Sequence, residues 1–234
     1  MNISEAHRIN CMEFMREFPD KFFDLAIPDP EYGRKQHGGT NRSKYVKQKN
    51  GSKIFVEGNK YDNQGWDDKP ADNAYFDELI RVSKNQIIWG CNYYNRNFGP
   101  GRIVWDKVNY GSDQSDCEIA YNSMTNRVDL FRFMWRGMMQ GRSIIDGQIV
   151  QGNKKLNEER IHPTQKPVLL YKWILKTFAK KGFRIFDSHM GSQSSRIAAY
   201  DMGFDYWGCE LNISYFHDGC NRFEKHKSQL NLFK

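Results

Sequence analysis

The hydrophobic positions follow two rhythms. Short unbroken apolar runs alternate with stretches in which apolar residues recur every three or four positions. The first rhythm suits strands buried on both faces, the second amphipathic helices. The runs FFDLAIP (22–28), NQIIWGCN (85–92), GRIVWDK (101–107), CEIAYNS (117–123), VDLFRFMW (128–135), FRIFD (183–187) and FDYWGCE (204–210) are predicted strands. Helices are predicted over 11–18, where Met12, Met15 and Phe18 share a side, and over 72–84, with Asp72 as N-cap and Phe76, Leu79, Ile80 and Val82 facing inward. A third helix spans 166–182, with Pro167 in its first turn and Gly182 closing it. Two more cover 192–203 and 213–226.

Strands alternating with helices predict an α/β fold: a Rossmann-like, doubly wound, mostly parallel sheet. Two polar excursions interrupt it. Residues 33–71 are rich in Gly, Asn, Lys and Gln without a sustained period, and 136–160 are polar and punctuated by glycines. A structureless loop as long as the first is rare unless it is functional or mobile. The expectation is one domain over 1–234, with a basic mobile loop at about 33–71.

Composition narrows the class. The 234 residues have a mean hydropathy of −0.79, so long polar segments separate the core elements. No apolar run approaches the ~18 residues that span a bilayer, and the N-terminus lacks a basic-then-apolar leader. The expectation is a soluble, cytoplasmic protein with no membrane partner. The five cysteines include no C-x-x-C pair and the six histidines do not cluster, so free thiols and no metal are expected. The formal charge of +7 is uneven: residues 34–60 hold eight Lys and Arg against the single acid Glu57. That surplus equals the whole excess and suggests a polyanionic partner, although a charge run by itself also suits a solvated loop.

The stretch RIFDSHMGSQSSRIAAYDMGFDYWGCELN (184–212) has the order of a nucleotide-binding βαβ unit. One strand ends at Asp187, a small-residue turn opens a helix, and a second strand ends at the acid Glu210. An acid there can accept both hydroxyls of a ribose. With Gly191 as the one turn glycine, and Gln193 where a second would be expected, a diphosphate cradle is poorly supported. A cofactor with a ribose and no phosphate, S-adenosylmethionine, fits better.

Several separated stretches then line up with one family. The chain resembles the DNA amino-methyltransferases that modify exocyclic adenine or cytosine nitrogens, in the permuted subgroup with the catalytic motif first and the cofactor motif last. DPEY (29–32) stands where that family has D-P-P-Y, DSHMGSQSSRIAA (187–199) at its cofactor motif, and IHPTQKP (161–167) carries its H-P-T-Q-K-P unchanged. INCMEFM (9–15) resembles its G-D-C-x-E-x-L stretch, with Asn10 in place of Asp.

The resemblance implies roles. Asp187, Gly191 and Ser192 would hold the methionine part of S-adenosylmethionine, and Glu210 its ribose. Thr164, Gln165 and Lys166 would lie near its carboxylate, and Asn10 and Cys11 near its adenine. His162 is expected to be a structural hydrogen-bonder. Asp29, also at the cofactor, and the Pro30 carbonyl would accept the two N–H bonds of the target amine, drawing its lone pair out of the ring and stabilising the charge that grows on nitrogen. Tyr32 would stack the flipped base. Glu31 departs from the family's Pro: turned inward it would repel Asp29, turned outward it would cost little.

The implied partner is double-stranded DNA, contacted by Arg34, Lys35, Arg42, Lys44 and Lys47 after the catalytic turn. Arg127 and Arg136 belong to a target-recognition insertion at about 125–160. A cognate restriction endonuclease is the protein partner such an enzyme could have, and the chain could be a monomer or a homodimer. The implied activity is methylation of adenine N6; cytosine N4, or a catalytically silent DNA-binding homologue, are the alternatives.

Overall fold

The computed structural model describes residues 2–34, 44–47, 50–56, 67–110, 115–136, 139–141, 144–145, 148–149 and 157–231. Its centre is an eight-stranded sheet. In chain order the first strands and helices are β1 (Ser4–His7), α1 (Cys11–Arg16), β2 (Phe23–Ala26), the paired β3 (Lys44–Lys47) and β4 (Lys53–Val56), α2 (Asn73–Val82) and β5 (Ser83–Trp89). Then come β6 (Arg102–Asp106), β7 (Cys117–Asn122) and β8 (Val128–Arg132), followed by two small hairpins, β9 (Met134–Arg136) with β10 (Met139–Gly141) and β11 (Ile144–Ile145) with β12 (Gln148–Ile149). The chain closes with α3 (Val168–Phe178), β13 (Arg184–Asp187), α4 (Ser194–Met202), β14 (Asp205–Cys209) and α5 (Ile213–Asn231).

The strand order is β1-β14-β13-β2-β5-β7-β6-β8. From β1 to β5 every neighbouring pair is parallel, and β7 alone runs against the rest. The unbroken apolar runs follow from burial on both faces. Along β2, Leu25 and Ile27 point into the core under α3 and α4, while Phe23 and Ala26 point into the core under α1 and α2. Ile87 and Trp89 against Ile88, and Ile185 against Phe186, repeat that alternation on β5 and β13. Because the strands are parallel, the carboxyl ends of β1, β14, β13 and β2 lie side by side at one edge, where open α/β sheets bind ligands.

Four local expectations are corrected. The edge strand β1 was not legible, because SEAH has no apolar run; its pairing with β14, Ser4 opposite Tyr206, defines it. The stretch 33–71 contains a hairpin, in which Tyr45 lies opposite Phe55 with ring centroids 5.2 Å apart. Pro167 is the N-cap of α3 rather than part of its first turn, and α3 stops at Phe178, leaving Gly182 (φ +85°) in the turn into β13. The second helix stops at Val82, because Ser83 already belongs to β5. Its N-cap is Asp72, as read, accepting from the Tyr75 N–H at 2.9 Å.

Candidate active site

The chain leaves β2 through Pro28-Asp29-Pro30-Glu31-Tyr32-Gly33. Two prolines keep this segment extended and out of any helix. Gly33 then turns it with a left-handed φ of +71°, and a Cβ there would stand 2.5 Å from the Pro70 ring. Buried Asp67 fixes the turn, its Oδ1 accepting from the backbone N–H groups of Tyr32 (2.9 Å) and Gly33 (2.8 Å). The Tyr32 ring lies flat on Gly90, where a Cβ would come within 2.1 Å of it, and stacks on Tyr93 at 4.9 Å.

Asp29 is the centre of a buried charge cluster. Its Oδ1 accepts from the Tyr32 hydroxyl, and its Oδ2 pairs with the Lys166 ammonium. Lys166 also reaches Glu118 Oε2 at 3.1 Å and the Tyr32 hydroxyl at 3.2 Å, and Lys107 meets Glu118 Oε1 at 3.1 Å. Burial raises the Asp29 pKa, and Lys166 only partly offsets this. Burial acts on Glu118 in the same sense, but two lysines overcome it and bring that carboxyl to about 2. Burial works against the Lys166 charge, which Asp29 and Glu118 together restore and reinforce. The Pro30 carbonyl accepts from Tyr94 Oη at 3.1 Å, leaving one lone pair for another donor.

Beside this cluster a cavity of about 280 Å³ opens over the strand ends. Nine of the ten residues expected at the cofactor line it: Asn10, Cys11, Asp29, Thr164, Gln165, Lys166, Gly191, Ser192 and Glu210. Glu210 follows β14, and its two oxygens accept the N–H groups of Gly191 (3.0 Å) and Asn212 (2.9 Å). Asn10 caps α1 through the Met12 N–H at 2.8 Å.

The tenth, Asp187, does not line the cavity. It is turned back to accept from the His189 N–H (3.0 Å) and Ser195 Oγ (2.6 Å), bracing the turn from behind, and burial raises its pKa to about 6. Lys166 lines the cavity and at the same time pairs with Asp29. Gln165 spends its side chain inside its own loop, on the Ile161 N–H and the Glu159 carbonyl, both at 3.0 Å. His162, whose Nδ1 meets the Thr164 hydroxyl at 3.1 Å, is driven by burial to a pKa of about 3 and stays neutral, as a structural hydrogen-bonder would.

Glu31 turns inward, yet toward His189 rather than Asp29. Its Oε2 is 3.4 Å from His189 Nε2, and Ser188 Oγ meets His189 Nδ1 at 2.9 Å. Burial alone would raise the Glu31 pKa, but the imidazolium outweighs it and the net shift is downward. Burial alone would lower the His189 pKa, but Glu31 leads the groups that push it well above its ordinary value. Gln193 occupies a left-handed position (φ 60°) ahead of α4, with its Oε1 accepting from Arg196 at 3.0 Å.

The expected DNA contacts are reached only in part. Arg34 is exposed, donates to the Tyr93 hydroxyl at 2.9 Å and lies over that ring. Lys44 and Lys47 flank β3, and Arg136 ends β9. Arg127 is exposed and paired with Asp129 at 2.8 Å. Lys35 and Arg42 lie outside the described residues. Sequence reasoning missed Glu118, Asp67, Tyr94 and the pairing of His189. Glu118 sits in an ordinary alternating strand; Lys107 reaches it from the end of the paired strand β6, and Lys166 from a distant segment. Among the described residues no helix is long and apolar enough to cross a membrane, and no three His, Cys, Asp or Glu side chains cluster as a metal site.

Known proteins resemble this chain in sequence and in fold. The type II methyltransferase M1.MboII of Moraxella bovis is 20% identical over 250 aligned positions, covering 92% of this chain and 94% of the relative. The solved PvuII DNA methyltransferase, cytosine-N4-specific, superposes with a TM-score of 0.53 at 12% identity, covering 99% of this chain and 92% of its own. M1.HpyAVI in complex with SAM superposes with a TM-score of 0.52 at 13% identity, covering 93% and 98%. The sheet thus has the methyltransferase fold. A family model described as DNA methylase, covering the N6 and N4 methyltransferases, matches residues 32–220, and the chain belongs to that family.

Proposed function

We propose that the protein transfers a methyl group from S-adenosylmethionine to the N6 amine of an adenine flipped out of duplex DNA. The observation that carries this reading is that Asp29 and Glu210 line one continuous cavity. At one end Glu210 is pinned by two backbone N–H groups, and its remaining lone pairs suit ribose hydroxyls. Asn10 and Cys11 flank the space for the cofactor adenine, and Gly191, Ser192 and Thr164 the space for its methionine portion. When bound, S-adenosylmethionine supplies an electrophilic methyl on its sulfonium.

The chain supplies position and charge. Asp29 and the Pro30 carbonyl accept the two amine N–H bonds, which keeps the nitrogen lone pair on nitrogen and aimed at the methyl. As the N–C bond forms and the methyl–sulfur bond breaks to leave a neutral thioether, the nitrogen becomes positive and then sheds one proton, for which Asp29 is the nearby acceptor. Tyr32, backed by Tyr93, offers the flipped base a ring to stack on. Arg34 and the lysines of β3 and β4 supply phosphate contacts, so DNA affinity should fall steeply with salt. Arg127 and Arg136 belong to a target-recognition segment. A cognate restriction endonuclease remains the protein partner to look for.

The test is incubation of purified chain with labelled S-adenosylmethionine and duplex DNA, followed by digestion to nucleosides. Methyl label in N6-methyl-2′-deoxyadenosine supports the proposal. Label in N4-methyl-2′-deoxycytidine instead supports the second reading, which the PvuII neighbour favours. Cofactor and DNA binding without any transfer would mark a silent homologue.

A further inference from the structure

The buried cluster contains one more carboxylate than methyl transfer requires. Both Asp29 oxygens already receive donors, from Tyr32 and Lys166. An incoming amine needs a lone pair on that same carboxylate. Lys166 Nζ has three acceptors around its three protons: Asp29, Glu118 at 3.1 Å and the Tyr32 hydroxyl at 3.2 Å. Glu118 comes from β7, the one reversed strand, and Lys107 pins its other oxygen at 3.1 Å. The chain of charges therefore runs Lys107, Glu118, Lys166, Asp29, alternating in sign.

We propose that Glu118 is a positioning residue for methyl transfer: it shares the Lys166 ammonium with Asp29 and so leaves Asp29 free to accept the target amine. Without Glu118, the ammonium would have Asp29 as its sole anion. Asp29 and Lys166 are already in contact; with no second anion to share the ammonium, its whole charge would fall on Asp29, and the amine would compete with it for the carboxylate's remaining lone pairs. Glu118 does not touch substrate; it acts through Lys166. This inference rests on the methyl-transfer reading above.

The experiment compares single-turnover methyl transfer across pH for the wild-type chain, Glu118→Gln, Lys166→Met and the double variant. S-adenosylmethionine affinity, measured by calorimetry, controls for folding. Glu118→Gln should slow transfer by about 10- to 100-fold while cofactor affinity stays within about twofold, because Glu118 does not line the cavity. Glu118→Asp should recover part of the rate. The acid limb of the rate profile should move to lower pH, since the Glu118 charge raises the Asp29 pKa. Of the other groups that sense the Asp29 charge or adjoin it, Tyr32 and Tyr171 also sense Glu118, but burial leads the causes that hold both well above the ordinary tyrosine value; for Tyr94 and Asp187 Glu118 is not among the leading causes. In the Lys166→Met background, Glu118→Gln should cause no further loss. Glu118→Gln that transfers at the wild-type rate, keeps the wild-type acid limb, or multiplies the loss of Lys166→Met overturns the proposal. A wild-type chain that transfers no methyl overturns the methyl-transfer reading itself and removes this role with it. Should Glu118→Gln lose cofactor binding, Lys107→Met applies the same test from the outer end, with a smaller loss expected and an unchanged rate overturning the proposal.

Discussion

Glu31 and His189 meet at the cavity wall, 3.4 Å apart, and tie the turn after β2 to the turn after β13. A proline at position 31 would stiffen the first turn; the glutamate instead links it to the second. Removing the charge in Glu31→Gln should cost about 1 kcal/mol of unfolding free energy at neutral pH, a discounted figure for a partly exposed pair. The His189 pKa is raised, so its contribution is full below the ordinary histidine value and fades as pH rises through the folded one. The Glu31 pKa is lowered, so its contribution fades as pH falls through its folded value. The stability gap between the two chains should therefore be widest in the mildly acidic to neutral range and close at both extremes. Urea unfolding at several pH values measures it; a gap that ignores pH would show that the pair is not electrostatic.

Asp29→Ala should abolish methyl transfer, by at least about 10³-fold, since an acceptor aimed at developing charge is lost. Cofactor affinity should change little, because Glu210 and the turn after β13 remain. Transfer assays paired with calorimetry read both, and full activity in this variant would remove Asp29 from the chemistry.

Glu210→Gln should weaken S-adenosylmethionine by roughly 10- to 100-fold, the worth of about 1–3 kcal/mol for hydrogen bonds to a charged acceptor. One amide oxygen cannot serve both the Gly191 and Asn212 N–H groups and two ribose hydroxyls. Equilibrium binding without DNA is the measurement. Unchanged affinity would show that the ribose lies elsewhere.

Asp67→Ala leaves the N–H groups of Tyr32 and Gly33 without their common acceptor. The turn should loosen by about 1–3 kcal/mol, and transfer should fall while S-adenosylmethionine affinity holds, because Asp67 does not line the cavity. A kinetic split of that form would separate it from a general folding defect.

The strands and helices were legible because both sheet faces are buried, which writes β2, β5, β13 and β14 as apolar runs. The lining of the cavity was legible because its residues sit in consecutive turns after strands, as Gly191, Ser192 and Glu210 do. Orientation was not legible. Nothing in DSHMGS says that Asp187 turns back toward Ser195 while His189 turns toward Glu31. Long-range pairing was equally silent: Lys166 lies far along the chain from Asp29 and Glu118, and only the fold brings the three together. Asp67 was hidden in a polar stretch whose composition reads as loop.

β1 pairs with β14, so the first and last strands of the sheet in chain order lie side by side, with Ser4 opposite Tyr206. Asn10 and Cys11, and Glu210, all line the cavity, yet they follow the first and the last strand of the sheet in chain order. A growing chain can pair β2 with β5 early, but the pocket has to wait until β14 has been made. Such distant closure is slow to form. Ligand present during refolding should accordingly act late, trapping the joined ends rather than speeding the first collapse.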